Sequence, residues 1–239
     1  MTNIPTTAIV RCDGKSKTII IRSELFALLE SLDQFDLAVA AYKQVPRDDS
    51  SYHAAELGRA EALRSAGLPC QIVSVGSTPT AHGARDLTGV TELRAGVYMF
   101  FDLVMAGIDV CSIDDIAISV LTTVIGHQQA KGWVMIDAGW TALSRDRGTA
   151  AQDVDQGYGV VCDADGRVIH DLIVSSVNQE HGIVALRPEA SGSLPDLPVG
   201  THLRILPNHA CATAAQFDRY NVLPETGGAM KVWHRFGGW

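Results

Sequence analysis

The segment DIAISVLTTVIGHQ, residues 115–128, decides how the chain is divided into parts. Its residues alternate over a long stretch and many are β-branched, which predicts a long β-strand with one buried face. From Asp109 onward the sequence predicts strands and turns with little helix, whereas strand-like and helix-like patterns alternate before it. We therefore divide the chain near residue 106 into an α/β part and an all-β part.

The later part of the chain contains further segments with strand patterns. An Asp-Gly pair at Asp165 and Gly166 predicts a hairpin turn between two of them. The predicted strands of this part lie within residues 132–139, 157–186, 201–213, 218–223 and 230–239.

The earlier part predicts parallel strands joined by right-handed helical crossovers, because strands and helices alternate in βαβαβ order. The strands are predicted at residues 6–12, 35–42, 70–76 and 96–102, and the helices at 22–32 and 50–68. A complete (β/α)₈ barrel takes roughly 250 residues. The fold class expected is thus α/β plus all-β, a partial (β/α)₈-type barrel followed by a C-terminal β domain.

Composition excludes several classes of protein. Of the 239 residues, 46% are hydrophobic and 19% charged, which is typical of a globular chain. The net charge of -8, with no Lys/Arg cluster, argues against binding to nucleic acid or to a membrane surface. Five scattered cysteines without a CxxC pair, and no apolar segment typical of a signal peptide, favour the reducing cytoplasm.

Two glycine turns in the α/β part have the composition of an anion site. In SVGSTPT, residues 74–80, Gly76 allows close backbone approach while Ser77 and Thr78 supply donors. The alternative is an ordinary turn between strand and helix. In LRAGVY, residues 93–98, the alternatives to a second such turn are a tight turn at Gly96 and a core aromatic at Tyr98.

The all-β part contains a possible metal-binding pair in LPNHACAT, residues 206–213. If this segment is extended, His209 and Cys211 point to the same face and can converge on one Zn²⁺ ion. The alternative is a half-buried histidine beside an inert core cysteine. NQEHG, residues 178–182, places His181 at a turn, where a polar hairpin tip is the alternative to a functional role.

Several motifs in this order resemble one family, the D-serine dehydratase-like and D-threonine aldolase family of pyridoxal-phosphate (PLP) enzymes with an alanine racemase-like fold. The resemblance implies a partial alanine racemase-like α/β barrel at 1–105 and a D-serine dehydratase-like C-terminal β domain at 106–239. The motifs are VSVGSTPT, TELRAGVYMFFD, DAGWTALSRDRG, QEHG, LPNHACATAAQFDRY and the terminal VWHRFGGW.

The resemblance also implies roles for individual residues. His209 and Cys211 would bind Zn²⁺ or another divalent metal; in this family the His-x-Cys form is associated with zinc and with dehydratases, and His-x-Asp with aldolases. His181 would be a catalytic residue that handles a proton. The PLP phosphate would be held by the two glycine turns, through Gly76, Ser77, Thr78, Gly96 and Tyr98.

The implied substrate is a small D-amino acid with a hydroxyl at Cβ. PLP stabilises a carbanion at Cα and the metal acts as a Lewis acid on the hydroxyl. Elimination and retro-aldol cleavage both need these groups, so the reaction stays open between them. Family enzymes commonly pair, so a homodimer is possible.

One departure from the family concerns the lysine that binds PLP. The family carries it in a segment resembling RPHxKTHK, and none of the five lysines of this chain lies in such a context. We expect either the C-terminal part of a PLP- and metal-dependent lyase, without the early barrel strands, or a non-catalytic truncated homologue that keeps a metal and a phosphate-binding site.

Overall fold

The computed structural model describes residues 60, 61, 63–65, 67, 70–224 and 228–236. The chain divides into two compact units, and it passes from the first to the second between Tyr98 and Met99. The strands predicted at 6–12 and 35–42 and the helix predicted at 22–32 lie outside the described residues.

The first unit contains a βαβ arrangement. Strand β1, Ser74–Val75, pairs in parallel with β2, Glu92–Leu93, and helix α1, Thr78–Gly83, lies between them in the chain. A parallel pair is present, as the βαβ order predicted, but its second strand β2 lies before the segment predicted as a strand, and the strand expected over 70–76 is regular only at β1. The helix predicted over 50–68 is confirmed at its described residues 60, 61 and 63–65.

The strand predicted over residues 96–102 is wrong. Val97–Met99 form a 3₁₀ turn, and Phe101 has a left-handed φ of 53°. Asp102 then caps helix α2, Leu103–Gly107, by accepting the Met105 N–H at 2.9 Å. A capping aspartate favours the helix start over an extended ladder, so the pattern of apolar residues does not produce a strand here.

The second unit is built on a closed six-stranded antiparallel barrel. The strands run in the order β3-β4-β7-β6-β5-β8, and β8 pairs with β3 to complete the circle. They are β3 Val120–Gln128, β4 Trp133–Ile136, β5 Gly159–Cys162, β6 Val168–Val177, β7 Gly182–Leu186 and β8 His202–Pro207. The all-β character expected after residue 106 is confirmed, whereas a partial (β/α)₈ barrel in the first unit stays a prediction.

The barrel core comes from alternate residues of each strand, as the side-chain period of two requires. Closure pairs both edges of every strand, so the sheet has no free edge. The Asp165-Gly166 turn between β5 and β6 is confirmed, with Gly166 at φ +93°. The core residues include Val124, Val134, Ile136, Val161, Leu172, Val174, Val184, Leu203 and Ile205.

The described part of the second unit also contains short helices and a two-stranded sheet outside the barrel. Helix α3 spans Trp140–Leu143 and helix α4 spans Ala210–Ala215. Strands β9, Arg219–Val222, and β10, Lys231–His234, lie within predicted strand segments and form a separate antiparallel pair. None of the helices in the described part of the chain is long and apolar enough to cross a membrane.

The strand predicted over residues 201–213 is correct only in its first half. β8 ends at Pro207, and α4 begins at Ala210 with His209 at its N-cap position. The sequence ACATAA has four alanines among six residues, and alanine has the highest helix propensity. His209 and Cys211 therefore do not share the face of a strand, and that part of the metal argument is wrong.

Cys162 in β5 leads to a prediction about pH. Its thiol is fully buried, and burial raises its pKa from an ordinary 9.0 to about 11. Because the folded pKa lies above the unfolded one, this thiol stabilises the fold below pH 9 and that contribution is lost as the pH rises from 9 to 11. Urea unfolding across this range should show a steeper loss of stability in the wild type than in Cys162→Ala; parallel curves would contradict this.

Candidate functional site

The candidate metal ligands lie at the start of α4. His209 occupies the N-cap position with an extended backbone, and Cys211 is the second residue of the helix. The Cys211 side chain is exposed, and the His209 side chain is 42% exposed. Both side chains are thus accessible from the surface of the second unit, at a helix start instead of along a strand.

The imidazole of His209 is bound by a carboxylate. Its Nδ1 lies 2.6 Å from Oδ2 of Asp146, in the loop that follows α3. An ionised carboxylate only accepts hydrogen bonds, so Nδ1 carries the hydrogen and Nε2 is left with a lone pair. Metal-binding histidines in proteins almost always have this arrangement, with the second ring nitrogen donating to a carboxylate or carbonyl.

A second aspartate fixes the backbone between the two candidate ligands. Asp102 is 1% exposed, and its Oδ2 accepts the Ala210 N–H at 2.8 Å while Oδ1 accepts the Met105 N–H. One buried carboxylate therefore caps both α2 and α4. Partial desolvation of the Cys211 thiol, followed by the negative charge of Asp102, raises its pKa even though the side chain is exposed.

Asn208 anchors the start of α4 to the loop before β5. It is fully buried; its Nδ2 donates to Thr149 Oγ1 at 2.8 Å and to the Gly157 carbonyl at 2.7 Å, and its Oδ1 accepts the Thr149 N–H. The amide is satisfied on both sides, so the residue that precedes His209 has a fixed position.

We expect Asn208→Ala to destabilise the second unit by about 2 to 4 kcal/mol, because it leaves buried groups of Thr149 and Gly157 without partners. Urea unfolding measures the loss. Asn221→Ala, at an exposed position of β9, is the matched control and should change stability by less than about 0.5 kcal/mol. Equal stabilities of the two variants would contradict the role of Asn208.

His181 lies at the predicted turn, between β6 and β7. Its Nε2 is 2.9 Å from Nδ2 of Asn178, and its carbonyl accepts the Asn178 N–H at 2.8 Å. The turn contacts the start of α3, where the Trp140 N–H donates to the Asn178 carbonyl at 2.9 Å. A Cβ at Gly139 would lie 2.2 Å from the Gln179 carbonyl, so this approach requires glycine.

The two glycine turns of the first unit are brought together. The Tyr98 N–H donates to Thr78 Oγ1 at 3.2 Å, and Thr78 is 1% exposed. Ser77 caps α1 by accepting the Thr80 N–H at 3.3 Å. The five residues of the predicted cradle therefore lie on two turns that this hydrogen bond between Tyr98 and Thr78 joins.

Close packing explains one of these glycines. A Cβ at Gly76 would lie 2.6 Å from the Arg94 carbonyl oxygen, so glycine is needed for the approach of the two turns. At Gly96, none of the described residues lies within 4 Å of such a Cβ, so the described part of the first unit leaves that turn open. The Tyr98 backbone donor is already used by Thr78, whose own hydroxyl hydrogen remains able to donate elsewhere.

Sequence patterns did not assign roles to Asp102 and Asp146, although both lie in the motifs that carry the resemblance. Their partners are distant in the chain, 108 and 63 residues away. Among the described residues, no group of three or more His, Cys, Asp or Glu side chains could by itself hold a metal ion. The pair at α4 therefore offers two candidate ligands, and the described residues add no third one beside them.

This combination of a closed β barrel with the pair at α4 belongs to a known class of domain. Residues 117–223 match the family described as "Putative serine dehydratase domain". The chain therefore contains a D-serine dehydratase-like domain.

Individual relatives have names that agree with this family. Over 182 residues the chain is 59% identical to a D-threo-3-hydroxyaspartate dehydratase from Delftia sp. (strain HT23), covering 75% of this chain and 48% of the relative. A D-serine dehydratase from Dictyostelium discoideum is 31% identical, with coverages of 67% and 41%. A D-threonine aldolase from Arthrobacter sp. is 30% identical, with 73% and 41%. The chain thus spans about half the length of these relatives.

Solved structures agree with the sequence comparisons. The Delftia dehydratase aligns with a TM-score of 0.70 at 53% identity, covering 84% of this chain and 55% of that one. An alanine racemase-like protein from Idiomarina loihiensis aligns with a TM-score of 0.66 at 48% identity, covering 78% and 52%. A D-threo-3-hydroxyaspartate dehydratase has also been solved as a histidine-to-alanine mutant and, in the metal-free form, as a cysteine-to-alanine mutant two positions further along.

Proposed function

We propose that this chain carries the metal-binding part, and the phosphate turns, of a PLP- and metal-dependent lyase that acts on D-β-hydroxy amino acids. The observation that carries the proposal is the pair at the start of α4, in which Asp146 binds Nδ1 of His209 and Cys211 follows two residues later. The names of the relatives, two kinds of dehydratase and one aldolase, support the substrate class.

The residues present fit a divalent metal. Imidazole nitrogen and thiolate sulfur are preferred ligands of Zn²⁺, and the carboxylate on Nδ1 leaves Nε2 as the ligand atom. The ion would be held by His209 and Cys211, with further donors from water, substrate or residues outside the described ranges. When bound, it supplies a Lewis acid for the β-hydroxyl of the substrate. The histidine and cysteine mutants of the related dehydratase concern two residues with the same His-x-Cys spacing, which supports this assignment.

The two glycine turns fit a phosphate group. They offer the Ser77 and Thr78 hydroxyls and backbone N–H groups at the open turn around Gly96. PLP, whose phosphate they would hold, supplies an electron sink for a carbanion at Cα when bound. Gly76 and Tyr98 hold the two turns against each other, so that the donors are fixed before a ligand binds.

His181 is proposed as the residue that handles a proton. With Asn178 Nδ2 donating to its Nε2, the proton of a neutral His181 resides on Nδ1, where it is able to move to or from a neighbouring group. The Asn178 contact fixes the ring at the hairpin tip. The His-x-Cys pair favours β-elimination, as in the dehydratases, over retro-aldol cleavage.

One specific observation favours a second candidate, a non-catalytic homologue that binds metal and phosphate. None of the five lysines lies in a segment like the family's PLP-binding one. Lys131 and Lys231 belong to the second unit, and Lys15, Lys17 and Lys43 lie outside the described residues. Cytoplasmic location and homodimer assembly remain predictions, the latter measurable by light scattering.

Two measurements on the full chain test these alternatives. The first is an activity assay with PLP and Zn²⁺ added, in which the substrate is D-threo-3-hydroxyaspartate, D-serine or D-threonine. Elimination is detected as 2-oxo acid plus ammonia, and retro-aldol cleavage as glycine plus aldehyde. Intact mass after PLP and borohydride then counts pyridoxyl groups. Oxo acid formation with one pyridoxyl group on one lysine supports the lyase. Bound zinc with neither turnover nor a specific adduct supports the non-catalytic homologue instead.

A further inference from the structure

The contact between Asp146 and His209 joins two segments that are far apart in the chain. The Asp146 side chain is 49% exposed and that of His209 is 42% exposed, with 2.6 Å between Oδ2 and Nδ1. An exposed pair of this kind contributes little to stability, about 0 to 1 kcal/mol. The contact between Asp146 and His209 therefore adds little to the stability of the fold. Its main effect is on the His209 imidazole, whose Nδ1 it binds.

The backbone before Asp146 is strained. Ser144 has φ 74° and ψ 172°, a region of backbone conformation that is essentially restricted to glycine, and it is 6% exposed. Such strain costs of order 1 to 3 kcal/mol and persists only where surrounding contacts impose it. The strained residue lies two positions before the carboxylate that binds His209.

Specific contacts impose this conformation and connect it to α4. Thr213, in α4, donates its hydroxyl to the Leu143 carbonyl at 3.0 Å. The Ser144 N–H donates to the Trp140 carbonyl at 2.9 Å, and Ser144 Oγ accepts the Asp146 N–H at 3.2 Å. The segment that ends in Asp146 is thus fastened to the same helix at whose start His209 lies.

We propose that Asp146 is a positioning residue of the metal centre, which holds the His209 imidazole in the tautomer and orientation that leave Nε2 for the ion. Asp102 complements it by accepting the Ala210 N–H, so that the ring of His209 and the backbone leading to Cys211 are held by two different carboxylates. This inference rests on the proposed function, because it takes His209 as a metal ligand.

The test measures metal affinity and does not depend on turnover. Zn²⁺ affinity of the full chain is determined by competition with a chromophoric chelator for the wild type, D146N, D146E and D165N. Asp165 is the matched control, since it is 71% exposed and paired with Arg167 in the turn between β5 and β6. We expect D146N to bind Zn²⁺ about 10- to 100-fold more weakly, D146E to recover part of the loss, and D165N to bind like the wild type.

Spectroscopy distinguishes positioning from a general structural effect. Co²⁺ bound to the wild type should show thiolate charge-transfer absorption from Cys211, and D146N at saturating Co²⁺ should show altered d–d bands. In ¹⁵N spectra of the metal-loaded wild type, His209 should have a protonated Nδ1. This second measurement needs no variant and stands even if D146N fails to fold.

The outcomes separate the two proposals. If D146N keeps wild-type affinity and Co²⁺ bands while His209→Ala loses the ion, the positioning role is overturned and the metal site stands. A His209 protonated on Nε2 and bound to metal through Nδ1 also overturns it. If the wild type itself binds no divalent ion, both proposals fail.

Discussion

Replacing His209 or Cys211 by alanine is expected to abolish stoichiometric Zn²⁺ in the purified protein. Each variant removes one of the two proposed protein ligands, so the loss of affinity should exceed the roughly 10- to 100-fold that follows from removing a hydrogen-bond partner of a ligand. Metal analysis after dialysis should fall from about one ion per chain to near zero in each variant. The fold should survive, because both side chains lie outside the barrel core.

His181→Ala is the matched control for this prediction. It removes a half-buried histidine of the same unit, at the hairpin tip instead of at α4, and should leave the zinc content unchanged. Retention of zinc by both His209→Ala and Cys211→Ala would contradict the metal assignment. Loss of zinc from all three variants would indicate that His181 also reaches the ion.

Ile205→Ala is expected to destabilise the barrel by about 2 to 5 kcal/mol, a large part of the 5 to 15 kcal/mol typical of a folded protein. Ile205 is fully buried in β8, opposite Val120 of β3 and Val161 of β5. Its Cγ2 packs so closely over Gly159 that a Cβ there would lie 2.5 Å away. Truncation to alanine removes these contacts and leaves a cavity in the core. Urea unfolding monitored by tryptophan fluorescence measures the effect.

Leu121→Ala is the control for the core substitution. Leu121 lies on the neighbouring strand β3, opposite Arg204, but is 66% exposed. The same type of truncation should therefore change the free energy of unfolding by less than about 0.5 kcal/mol. Similar effects of the two substitutions would show that the closed barrel does not pack as described.

Local patterns predicted much of the second unit. The alternation in residues 115–128 predicted β3, and the Asp165-Gly166 pair predicted the hairpin that Gly166 forms with φ +93°. These predictions succeed because the period of a half-buried strand and the left-handed turn are properties of neighbouring residues. The family resemblance likewise came from short motifs, and the comparisons confirm it.

Local patterns failed where a residue's partner lies elsewhere in the chain. Residues 96–102 have a strand-like composition, yet Asp102 starts α2 and binds α4 through Ala210 N–H. His209 and Cys211 were selected on the assumption of an extended segment, but the strand ends at Pro207 and the alanines that follow form a helix.

The sequence by itself determined the family resemblance and the β character after residue 106, and it selected His209 and Cys211 as candidate metal ligands, because composition, period and motif are local properties. Tertiary structure alone decided that β3 and β8 close a barrel, and that Asp146 lies 2.6 Å from His209 across 63 residues of chain. Such contacts depend on where the whole chain places its segments. The periodicity of one segment contains no information about the distance between that segment and another one.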